Sequence, residues 1–115
     1  MKDNLIVTKS FVFAVRIVKL CRKLTSEHKE YVLSKQLLRC GTSIGANVEE
    51  AVGGISKKEF AAKLQIAYKE ARETKYWLRL MVETDFLEKE ETESLLADCE
   101  ELIRIIVAIL KSSKN

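Results

Sequence analysis

The sequence predicts an all-α fold, an antiparallel up-down-up-down four-helix bundle. Three observations point there. The 115 residues hold no proline and only four glycines, at 41, 45, 53 and 54, so the chain offers few places to break a helix. Apolar residues recur at helical spacing through four long segments. The breaks between those segments are short, and short connections turn neighbouring helices antiparallel. A chain of this length makes one domain over residues 1–115.

The first helix is expected over about 4–24, ending at Thr25-Ser26. Its apolar arc is about 220° wide and takes in Phe11, Phe13, Val15, Ile17, Val18 and Cys21. The second helix is expected over about 29–52 and should end at Gly53-Gly54, one glycine supplying a left-handed residue. The third, over about 56–83, has the sharpest start. Ser56 and Glu59 have the spacing of a capping box, in which each side chain reaches the other residue's backbone N–H. Its buried stripe is narrow, running through Phe60, Leu64, Ala67, Ala71, Thr74, Leu78 and Val82. The fourth helix, over about 88–111, has an apolar arc about 200° wide. A surface helix of a small domain needs a stripe of little more than about 100°. The surplus on the first and fourth helices predicts a homo-oligomer, with another copy of the chain covering them.

The second helix carries a polar seam. Gln36, Arg39, Ser43, Asn47 and Glu50 share a strip about 80° wide beside its core face, which holds Leu33, Leu37, Cys40, Ile44, Val48 and Ala51. Two roles compete for it. Such residues fix helix register through hydrogen bonds across a helix or subunit boundary, or they form a binding surface. Glu50 is the seam's only carboxylate, and no histidine joins it for acid-base chemistry. On the core side, Gly41 and Gly45 form a small-x-x-x-small pair. Each glycine costs a helix about 1 kcal/mol against alanine, and close approach of a neighbouring helix backbone is the expected return.

Charge is uneven. Residues 1–40 carry nine Lys/Arg and three Asp/Glu, a net of +6, and residues 41–115 carry eleven and fourteen, a net of −3. On the first helix, Lys2, Lys9, Arg16, Lys19 and Lys23 line up opposite the apolar arc. Lysine and arginine hold phosphates without reading sequence. Lys9, Arg16, Lys19 and Lys23 are therefore candidate RNA or DNA contacts, which a ring of subunits would multiply. An ordinary solvated face is the competing reading. On the third helix, Ile66, Trp77 and Leu80 form a small apolar patch beside Glu73 and Thr84. It would suit a protein partner or pack on a neighbouring helix.

Apolar residues make up 47% of the chain and charged residues 32%, and no apolar run reaches a membrane span. Arg16 and Lys19 interrupt the apolar start, which makes it a poor signal peptide. Cys21, Cys40 and Cys99 are an odd, widely spaced set on apolar helix faces. They read as buried free thiols in a reducing cytoplasm, not as disulfides or zinc ligands. His28, the only histidine, falls in the first turn. No phosphate loop, nucleophile-base pair or metal-ligand motif occurs, so no catalytic residue, metal or cofactor is expected. The acids opening the fourth helix favour the positive end of its dipole.

The stretch from Tyr31 to Phe60 resembles the signature of a family of four-helix-bundle proteins encoded in intervening sequences of bacterial large-subunit ribosomal RNA genes. That pattern runs aromatic, leucine, glutamine and arginine, then Ser-Ile-x-x-Asn-Ile-x-Glu-Gly. Tyr31, Leu33, Gln36, Leu37 and Arg39 match, followed by Ser43, Ile44, Asn47, Val48 and Glu50. Ser56, Phe60, Leu64, Ala67 and Glu73 match the continuation on the third helix. Ala51 stands where the family has glycine, which bears on how the second helix ends. The resemblance implies an up-down-up-down bundle, assembly as a ring that is a pentamer, and no known enzymatic activity. A more distant relative is an accessory to a retroelement reverse transcriptase and binds nucleic acid. The combined expectation is a cytoplasmic, non-enzymatic homo-oligomer that binds RNA or DNA with low specificity. A protein-interaction scaffold or accessory subunit is the alternative.

Overall fold

The structure, a computed structural model, describes residues 2–113, with side chains described from Leu5 onward. Four helices follow one another: α1 (Lys2–Glu27), α2 (Val32–Val52), α3 (Lys57–Glu83) and α4 (Lys89–Ser113). No strand forms among the described residues. α1 packs on α2 and α4, and α3 packs on α2 and α4, while among the described residues the backbones of the diagonal pairs stay apart.

The directions follow from cross-helix contacts. Cys21 meets Ser34, while Gly45 lies against Ser10, so α1 and α2 run antiparallel. Arg39 pairs with Glu70 and Glu73, while Glu50 pairs with Lys63, so α2 and α3 do too. Lys9–Glu101, Arg16–Asp98 and Lys23–Glu91 set α4 antiparallel to α1. The result is the expected up-down-up-down bundle, 46 Å long and 21 by 19 Å across.

The core follows the helical periodicity. Phe13, Ile17, Leu37, Ile44, Leu78 and Ile106 are among its fully buried members. On α3 the stripe ends differently from expectation: Met81 is buried and Val82 only half-buried. Each buried hydroxyl bonds to a nearby carbonyl, Ser10 to that of Val7 and Thr74 to that of Glu70 inside their helices, Ser34 to that of Glu30 and Thr92 to that of Glu88 just ahead of theirs. No buried side-chain nitrogen or oxygen among the described residues lacks a partner, as a stable interior demands.

The ends of the helices bring four corrections. α1 does not stop at Thr25-Ser26. Both hydroxyls bond to carbonyls three residues back, and the helix continues to Glu27. The break comes at Lys29, a non-glycine residue with φ 53°, where the N–H of Glu30 donates to the Leu24 carbonyl at 3.3 Å. The second helix accordingly starts at Val32, not near 29, its first turn tied down by the Glu30 carboxylate. At the end of α2, neither Gly53 nor Gly54 is left-handed. Gly53 has φ −80°, and the N–H groups of both glycines donate to the last carbonyls of α2. Tight packing is the need at Gly54, where a Cβ would lie 3.2 Å from the Ala51 carbonyl oxygen. Ser56 caps α3 as expected, accepting from the Glu59 N–H at 3.1 Å. The Glu59 carboxylate, however, accepts from the Ile55 N–H, one residue before the expected donor.

Candidate functional surfaces

The seam on α2 is knitted to α3. Arg39 forks between two carboxylates, reaching Glu70 at 3.1 Å and making a short contact to Glu73. Glu73 also accepts from the indole N–H of Trp77 at 3.0 Å. The indole hydrogen bond and the Arg39 contact hold the Glu73 carboxyl below the usual carboxylate range, and the Glu73 hydrogen bond raises Arg39 further. Ser43 donates to the Arg39 carbonyl, and Asn47 to that of Ser43 at 2.8 Å. Glu50 completes the row with Lys63 at 2.9 Å. Arg39 and Glu50 thus bind α2 to α3, while Ser43 and Asn47 bond within α2. Gln36 is exposed and takes no part. Trp77 packs against the core, so only Ile66 of the α3 apolar patch stands well exposed.

Three of the four candidate phosphate contacts on α1 face carboxylates of α4. Lys9 lies 3.1 Å from Glu101, Arg16 is in short contact with Asp98, and Lys23 lies 3.7 Å from Glu91. Arg16 also donates to the Ser94 hydroxyl at 3.2 Å. These pairs follow one another along the α1–α4 boundary as a ladder. Lys19 alone of the four is exposed without an ion pair among the described residues. The side chain of Lys2 lies outside the described residues.

A second basic surface stands between α3 and α4. Arg72, Lys75, Tyr76 and Arg79 have the i, i+3, i+4, i+7 spacing of one helix face. Together with Glu100, Ile103 and Arg104 of α4 they line an open groove of about 460 Å³. Lys75 is paired with Glu100 at 3.3 Å. Arg72 donates to the Tyr68 hydroxyl at 3.2 Å, and its guanidinium carbon lies over that ring, 5.9 Å from its centre. Arg79 and Arg104 form no ion pair among the described residues. The sequence reading missed this groove. The α3 spacing was legible, but the approach of Arg104, 25 positions beyond Arg79, was not.

Surplus apolar surface lies on α1 and α2. Phe11 is 66% exposed, and Val15 and Val18 stand on the same face. Val18 shares a shallow groove with Leu38 of α2 and with Tyr31 just ahead of that helix, the latter 59% exposed. The fourth helix, expected to contribute, exposes none of its large apolar residues strongly. Ile103, Ile105 and Leu110 pack against the core between α1 and α3.

The cysteines are buried and free. Burial pushes the thiols of Cys21 and Cys40 up to about 11 and that of Cys99 up to about 12, so they stay protonated and inert. Among the described residues, no three His, Cys, Asp or Glu side chains gather to hold a metal ion, and no helix is long and apolar enough to cross a membrane.

Comparison with known proteins agrees with this architecture. A solved structure from Bacteroides thetaiotaomicron, described as a protein of unknown function from the S23 ribosomal protein family, is 50% identical, with a TM-score of 0.95. The match covers 96% of this chain and 99% of that one. No curated protein matches. The family model described as 23S rRNA-intervening sequence protein matches residues 2–108, nearly the whole bundle, seam and grooves included. The chain therefore belongs to the 23S rRNA-intervening sequence protein family.

Proposed function

We propose that the protein is a non-enzymatic homo-oligomer, a ring-like pentamer in the cytoplasm, that binds RNA or DNA with low sequence specificity through basic surface. The observation that carries this reading is the opposition of two faces. The apolar face around Phe11, Val18 and Leu38 belongs to α1 and α2, and the arginine-lined groove belongs to α3 and α4. Assembly through the first leaves the second open and repeats it around the oligomer. The family's description as 23S rRNA-intervening sequence protein supports a nucleic-acid setting.

One observation favours the alternative, a scaffold for a protein partner with no nucleic-acid contact: three of the four α1 cations face α4 carboxylates. The deciding experiment is binding of the purified protein to structured RNA and duplex DNA across salt concentrations, with mass from light scattering. Steeply salt-dependent affinity from an oligomer supports the proposal. An intact oligomer that binds neither at low salt makes it a scaffold.

A further inference from the structure

The α3–α4 groove differs from ordinary charged surface in three ways. Its charge is one-sided, with Arg72, Lys75, Arg79 and Arg104 set against Glu100 alone. Three of its four cations are arginines, whose planar forks match phosphate oxygens two at a time. Arg72 also donates to the Tyr68 hydroxyl at 3.2 Å and lies 5.9 Å from that ring's centre, contacts that narrow its freedom before it engages an anion.

The groove also holds an aromatic ring. Tyr76 is 58% exposed although it lines the groove between arginines. Its ring meets Trp77 edge-on, at 5.2 Å between centroids and 76° between planes. Trp77 is in turn tied to Glu73. The ring is thus braced from the side of the core while much of its surface is open. An exposed aromatic ring among phosphate-binding arginines is the combination that holds an unpaired base beside its own backbone. Bases within a duplex are stacked on one another and give such a ring nothing to stack on.

We propose that the α3–α4 groove binds single-stranded nucleic acid, with Arg72, Arg79 and Arg104 on phosphates and Tyr76 stacked on a base. Arg72 and Arg79 stand two turns apart, about 10.5 Å along α3, far enough to hold separate phosphates. Lys75 is neutralised by Glu100 and contributes less. The assignment rests on the nucleic-acid reading above and narrows it to one site and one form of the polymer.

The test is fluorescence anisotropy with labelled oligouridylate, oligothymidylate and a DNA duplex, titrated against the full chain over a range of salt. The triple variant R72Q/R79Q/R104Q should bind the single strands about tenfold more weakly or worse. Its slope of log affinity against log salt should be lower by about two, the loss of three phosphate contacts. Tyr76→Ala should weaken the single strands by about tenfold and leave the duplex unchanged. The control K57Q/K58Q, at the exposed start of α3 away from the groove, should change single-strand binding little. Circular dichroism and light scattering confirm that each variant keeps its fold and mass. Failure of the unaltered protein to bind any oligonucleotide would overturn both this site and the broader reading. Full binding by the arginine triple variant would overturn the groove alone. An unchanged Tyr76→Ala, with polyglutamate competing as well as oligonucleotides do, would make the groove a general anion surface and overturn the single-strand assignment.

Discussion

The ammonium of Lys9 on α1 lies 3.1 Å from the carboxylate of Glu101 on α4. With Arg16–Asp98 and Lys23–Glu91 it forms the ladder along the α1–α4 boundary, on the stripe that looked most suited to phosphates. All six side chains are partly exposed, so each pair stabilises the fold by at most about 1 kcal/mol. The ladder matters more for what it does to the field, because every α1 cation in it faces a fixed negative charge.

Removing the α4 side of the ladder should therefore unmask α1. Asp98→Asn with Glu101→Gln is expected to cost no more than about 2 kcal/mol in urea unfolding. It should also tighten nucleic-acid binding and steepen its salt dependence. Unchanged affinity in anisotropy would show that α1 faces no phosphate even when its charge is released.

Gly41 is a packing requirement. A Cβ there would lie 2.8 Å from Cγ2 of Ile17, a fully buried β-branched side chain with no room to turn. Gly41→Ala should destabilise the protein by up to about 2 kcal/mol, overpacking of about 1–3 kcal/mol being offset by about 1 kcal/mol from alanine's better helix propensity. The midpoint of urea unfolding reads this directly, and an increase in stability would mean that α1 yields.

Lys29 occupies a left-handed position that suits glycine better, with φ 53°. Lys29→Gly should stabilise the fold by about 0.5–1 kcal/mol, the relief of strain exceeding the added freedom of the unfolded chain. A rise in Tm by calorimetry would show it. A fall would mean that the lysine stem contributes packing at the α1–α2 turn.

Glu73 couples the seam to acid stability. Its carboxyl is held below the ordinary value near 4.5 by the Trp77 indole N–H and by Arg39. A carboxyl lowered in the folded state adds stability above its unfolded pKa, and that stability is lost as the pH falls through the folded value. Trp77→Phe keeps most of the ring and removes the N–H. Stability at pH 7 should drop, while the difference from the unaltered protein narrows below about pH 4.5. A constant difference across the pH range would assign the loss to packing instead.

Phe11 is 66% exposed on α1 and Val15 38%, and neither belongs to the core among the described residues. Phe11→Gln with Val15→Gln should lower the mass seen in light scattering without loss of helicity, because neither side chain contributes to the core. A mass unchanged by the double substitution would move the subunit contact elsewhere.

The sequence by itself determined the four helices, their antiparallel order and most of the core. Periodicity at about 3.6 residues dictates which face each helix buries, and an absence of proline leaves long segments unbroken. It also placed Ser56 as a cap and set the seam beside the core face of α2, because both depend on residues close together in the chain, whereas the choice of α3 as the seam's neighbour came from packing. It missed the break at Lys29, since neither lysine nor the neighbouring hydroxyls of Thr25 and Ser26 mark a helix end. Only the tertiary structure decided how the charges are used. Lys9 and Glu101 are 92 positions apart, and no local pattern shows whether a cation will face a carboxylate or open water. The same is true of the wide apolar arcs: that of α4 is buried or half-buried within the bundle, while part of that of α1, at Phe11, Val15 and Val18, stays open. Helix packing chooses between those outcomes, and with them which basic face remains available to a ligand.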